Sequence, residues 1–129
     1  MPILAPISAG ELVDKITILR VKADRIGAAK RVNVTKELRL LEALAGEVLP
    51  DSPKLAVLTA ELTTVNAALW DIEEGKRDCE RRQDFGGEFV RLARAVYLEN
   101  DRRAAIKRAI NELTGSDLVE EKSYRPYRS

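Results

Sequence analysis

Between Pro53 and Arg82 the residues Leu55, Leu58, Leu62, Val65, Leu69 and Ile72 recur at alternating steps of three and four. That rhythm places them on one face of a helix, and no strand can use it, because strand side chains alternate faces with period two. The same rhythm runs through Leu12, Ile16, Leu19, Ala23 and Ile26, and again through Val34, Leu38, Leu41, Ala45 and Val48. It is the spacing of coiled-coil seams. A chain written this way must bury several long helical stripes against one another.

Punctuation residues divide the stripes. Ser8-Ala9-Gly10-Glu11 forms a capping box, in which the Ser8 hydroxyl accepts from the Glu11 amide. The spacing predicts helix 1 from about Ala9 to about Ala29, and helix 2 behind an Asn33 cap. Pro50-Asp51-Ser52-Pro53 ends helix 2 and opens helix 3, with Ser52 as cap and Pro53 at the first helical position. Helix 3 runs to about Arg82, and Asp84-Phe85-Gly86-Gly87 breaks the chain before helix 4. Asn100-Asp101 either kinks helix 4 or caps a fifth helix, and Gly115 closes the last one. The expected fold is all-α: an antiparallel up-down bundle of four to five long amphipathic helices with coiled-coil-like packing over residues 1–115. Residues 116–129 have no period and form an extended or mobile tail.

Composition narrows the function classes. The 129 residues carry 22 basic and 21 acidic side chains, a net charge of +1, with the two signs interspersed. That disfavours nucleic acid as a partner and fits solvated helix faces. There is no histidine, which removes the commonest general base and transition-metal ligand. The lone cysteine, Cys79, can form neither an intramolecular disulfide nor a zinc site. Acidic neighbours Asp78 and Glu80 make it an inert thiol rather than a nucleophile. No metal, no cofactor and no catalytic residue is assigned. The opening Met1-Pro2-Ile3-Leu4-Ala5-Pro6 lacks the basic region of a signal peptide, and no stretch approaches ~18 uncharged apolar residues. The expected location is the cytoplasm, with no membrane contact.

One polar cluster is a candidate binding site. If helices 3 and 4 form a hairpin turning near Phe85, Trp70 and Asn100 lie at the same height, Glu74 near Tyr97, and Asn66 near Arg103. Tyr97, Asn100 and Arg103 share one side of helix 4. If helix 1 runs parallel to helix 3, Lys22 and Arg25 reach this level too. Trp70, Tyr97, Asn100, Arg103, Glu74 and Arg25 then surround one spot suited to a carboxylate or phosphate. The competing reading of the same residues is a structural network fixing helix register, with Arg103 paired to Glu74 or Asp71.

The segment Ile7-Ser8-Ala9-Gly10-Glu11-Leu12-Val13-Asp14-Lys15-Ile16-Thr17-Ile18-Leu19 resembles the opening of a bacterial family of proteins of unknown function, of about this length. Leu69-Trp70-Asp71-Ile72-Glu73, then Val96-Tyr97 with Asn100, Asp101 and Arg103, then Val119-Glu120-Glu121-Lys122-Ser123-Tyr124, extend the resemblance along the chain. It implies a bacterial helical protein and supplies no activity.

Length mismatch directs the functional expectation. Helix 2, with about 16 residues, spans ~24 Å, whereas helix 3, with about 30, spans ~45 Å. Helices 1 and 4 or a second subunit must cover the remainder of helix 3. The leading expectation is a non-enzymatic interaction module that forms a homodimer. The alternative is a small helical enzyme or anion-binding protein working with Arg, Lys and carboxylates.

Overall fold

In a computed structural model, which describes residues 1–116, 118, 121, 126 and 127, the chain forms four helices. They are α1 (Ala9–Arg25), α2 (Ala28–Val48), α3 (Pro53–Arg81) and α4 (Gly87–Thr114). No strand occurs among the described residues.

The caps act largely where the sequence places them. Ser8 Oγ accepts from the Glu11 amide at 3.0 Å and Ser52 Oγ from the Leu55 amide at 3.3 Å. Each satisfies one of the amides that a helix start leaves without a partner. Gly115 ends α4 in the left-handed region, with φ 65°. At the turn after α3 it is Gln83 that adopts positive φ, at 54°. The Asp84 amide there donates back to the Cys79 carbonyl at 2.9 Å.

Two boundaries differ from expectation. α1 stops at Arg25 rather than near Ala29, because Ile26 and Gly27 are both extended. Gly27, not Asn33, is the N-cap of α2, so Asn33 lies inside the helix. The Ile26 carbonyl, freed by the break, accepts from Arg31 Nη2 at 2.9 Å. In α4 the helix passes through Asn100-Asp101 without interruption. These residues neither cap a fifth helix nor break the fourth.

α1 is the centre of the structure. Gly10, Leu12, Val13, Asp14, Ile16, Thr17, Leu19 and Val21 are all buried, and α1 packs against each of the other three helices. α3 and α4 pack most extensively on each other. Val13, Leu55, Leu62 and Ile110 form the core where α1, α3 and α4 meet, with Leu49, Leu58, Ile106 and Leu113 around it. α2 stands apart: it packs on α1 alone and buries none of its residues. Helix 2 is thus not the partner of helix 3 that the length argument assumed.

α3 meets, by length and composition, the minimal criterion for a membrane-crossing helix. Bundle core helices satisfy the same criterion, and Leu62 and Val65 of α3 are buried within the protein.

The tail is described at few positions, and most of the segment from Val119 to Tyr124 lies outside the described residues. Two of its described residues reach α4. Glu121 pairs with Arg108 at 3.1 Å, and the Tyr127 ring sits 4.8 Å from that of Tyr97.

Candidate functional site

α1 and α4 carry polar residues on the faces they turn to each other. On α4, Asn100, Arg103, Lys107 and Asn111 follow at steps of three, four and four, and so form one stripe. On α1, Gly10, Glu11, Asp14 and Thr17 make the facing stripe. Contacts between them run in opposite sequence order: Gly10 with Asn111, Glu11 with Lys107, Asp14 with Arg103.

Asp14 is the hub. Its side chain is 1% exposed and that of Arg103 29%. Arg103 Nε donates to Asp14 Oδ1 at 2.9 Å and Nη2 donates to Oδ2, a two-pronged pair that only a guanidinium can make. From α3, Asn66 Nδ2 donates to Asp14 Oδ1 at 3.0 Å and to Thr17 Oγ1 at 2.9 Å. Thr17 Oγ1 donates in turn to the Asp14 carbonyl at 2.9 Å. One carboxylate therefore ties three helices together.

The flanking layers continue the pattern. Lys107 Nζ bonds Glu11 Oε2 at 2.8 Å and lies 3.9 Å from Asp14 Oδ2. Beyond it the Gly10 amide donates to Asn111 Oδ1 at 2.7 Å. Gly10 is required here for space: a Cβ would stand 2.5 Å from the Lys107 carbonyl oxygen. The missing side chain lets α1 settle against α4 closely enough for these pairs to form.

Among the described residues Asp14 and Glu11 pair with Arg103 and Lys107, and no buried side-chain nitrogen or oxygen lacks a hydrogen-bond partner. Burying a charge is costly unless it is paired and hydrogen-bonded. This cluster meets that condition from within the chain. Two surface grooves, of 440 and 450 Å³, lie elsewhere. The first is lined by Glu61, Thr64 and Arg102 between α3 and α4, the second by Arg20, Pro50 and Thr59 beside the α2–α3 connection.

Several of the residues expected to converge take partners within the chain. Arg103 does reach Asn100, donating from Nη1 at 3.4 Å, but its ion-pair partner is Asp14, not Glu74 or Asp71. Asn66 comes to Arg103 through the shared carboxylate. Arg25 arrives at α3 as a parallel α1 requires, and there pairs with Asp71 at 2.8 Å. Tyr97 meets Tyr127 and accepts from Arg94 at 3.3 Å, while Trp70 is half-buried and Glu74 exposed. No group of three His, Cys, Asp or Glu that could hold a metal occurs among the described residues. Sequence reasoning missed Glu11, Asp14, Thr17, Lys107 and Asn111. The available signal was the pair of polar stripes on helices already assigned.

The family comparison bears on the same residues. A model for a family of unknown function, DUF6165, matches residues 3–129. The chain belongs to that family. No curated protein and no solved structure matches it. The opening segment that carries the resemblance now has a physical content. Ser8 caps α1, Gly10 admits α4, and Glu11, Asp14 and Thr17 supply the α1 side of the network.

Proposed function

We propose that this protein is a non-enzymatic interaction module: an antiparallel up-down bundle with coiled-coil-like seams that self-associates in the cytoplasm. Neither nucleic acid nor membrane is among its partners in this reading. The observation that carries it is the division of surfaces. The buried charged groups are satisfied internally, while Leu40, Leu44 and Val48 of α2 stand exposed on a helix that only α1 supports. A helix packed on one side only gains little from tertiary burial, and a second partner supplies what is missing.

The rival class, a small enzyme or anion-binding protein, needs a cation able to exchange its protein partner for a ligand. Arg103 and Lys107 are held by Asp14 and Glu11. Sedimentation velocity tests the proposal. The protein should sediment near twice its 14.4 kDa mass at micromolar concentration. A monomer there, or a thermal shift with phosphorylated or dicarboxylate metabolites that Arg103→Ala abolishes, would overturn it.

A further inference from the structure

We infer that a second copy of this chain docks on α2, antiparallel to it, through a twofold contact centred between Leu40 and Leu44. The inference rests on the self-association proposed above and says which face is used and in what direction.

α2 divides into two apolar rows. Val34, Leu38, Leu41 and Ala45 are half-buried, and α1 is the only helix that covers α2. Leu40, Leu44 and Val48 follow at steps of four on a separate row and are 64%, 42% and 59% exposed. Three large aliphatic residues on successive turns of one helix form a continuous strip rather than scattered surface residues.

Charge selects the occupant and its direction. Lys36 and Glu47 are exposed, and neither has an ion-pair partner among the described residues. From 36 to 47 is about three helical turns, so both project from the same edge of the Leu40–Leu44 strip. Lys36 lies one turn before Leu40, and Glu47 lies just under one turn after Leu44. A twofold axis between the two leucines sets Leu40 of each copy against Leu44 of the other. The same operation brings Lys36 of each copy beside Glu47 of the other, twice over. In a parallel arrangement the twofold axis runs along the helices and carries this edge to opposite sides of the contact, so no Lys36 would meet a Glu47. A C2 contact must be self-complementary, and this strip is so only in the antiparallel sense.

The test exchanges charges between copies. Lys36→Glu and Glu47→Lys each create two like-charge contacts, and each variant alone should weaken dimerisation by about tenfold or more in sedimentation velocity at low salt. Mixed in equal amounts, the two variants should recover dimers, because Glu at 36 on one copy then meets Lys at 47 on the other, while the second contact keeps its natural Lys36 and Glu47. Both positions are exposed, so circular dichroism should report unchanged helicity. A third variant, Leu44→Glu, should give monomers. If the wild-type protein is itself a monomer, the self-association proposal falls and this inference with it. If it is a dimer that none of the three variants weakens, the dimer uses another face and this inference alone is wrong. If both charge variants weaken but the mixture does not recover, the antiparallel pairing is wrong.

Discussion

Asp14 and Arg103, 89 residues apart in the chain, meet in a two-pronged ion pair whose carboxylate is almost wholly enclosed. Asn66 of α3 bonds the same carboxylate. The register of three helices is therefore set at one point.

Removing one member of the pair should cost more than removing both. Arg103→Ala or Asp14→Ala leaves a buried partner uncompensated, and each should lower stability by about 3–5 kcal/mol. Asp14→Leu with Arg103→Met replaces the pair by apolar groups of similar size and should lose less than either matching single substitution alone. Urea denaturation of wild type, the two single variants and the double variant measures the coupling. Additive losses would show that Arg103 and Asp14 act independently.

Glycine to alanine should act in opposite senses at two positions. At Gly10 the new methyl would lie 2.5 Å from the Lys107 carbonyl oxygen, which is backbone and cannot turn aside. The helices must separate, at a cost of about 1–3 kcal/mol, as for other overpacked sites. At Gly46, inside α2 with nothing within 4 Å, alanine should stabilise by roughly 0.5–1 kcal/mol. Thermal unfolding of both variants checks the contrast, and equal shifts in the two would contradict the close approach at Gly10.

Leu19 is buried on α1, the helix that every other helix contacts. Leu19→Asp places an unpaired carboxylate among aliphatic side chains and should abolish folding, since that penalty, at several kcal/mol, approaches the ~5–15 kcal/mol total stability of a domain. Far-ultraviolet circular dichroism reads the outcome. Wild-type helicity and melting temperature in this variant would contradict the central role of α1.

Not every ion pair should matter. Arg25 and Asp71 lie 2.8 Å apart, but 69% of the Asp71 side chain is exposed to water. Asp71→Asn should change stability by less than about 1 kcal/mol. A loss comparable to that of Arg103→Ala, in the same urea titration, would mean that the α1 C-terminus is held more rigidly than its exposure indicates.

Cys79, near the C-terminal end of α3, is fully buried. A thiol reagent should modify it only as the protein opens, at a rate that rises steeply with denaturant. Stoichiometric labelling within seconds under native conditions would show that the α3–α4 hairpin opens locally near its turn.

The helices themselves were legible in the chain because their determinants are local. The three-four spacing of Leu55 to Ile72, the Ser8 and Ser52 caps, Pro53 and Gly115 act within a turn or two of the residues they control, and all operate in the folded protein as the sequence indicates. Where local signals are weak, sequence spacing misplaces a helix boundary. Asn33 offered a cap on composition, but Ile26 and Gly27 turn the chain earlier, and α2 begins before Asn33 is reached. The polar cluster needed more than local information. Arg103 has Glu74, Asp71 and Asp14 as acids of equal chemistry, and spacing along one helix cannot choose among acids on others. The choice falls to Asp14 because Gly10 lets α1 approach α4, and that approach is a property of two surfaces 101 residues apart in sequence. Tertiary structure likewise decided that α2 packs on α1 alone. Its seam states only that one face must be covered, whereas the covering helix is fixed by which apolar faces fit together once α1, α3 and α4 have closed around their shared core.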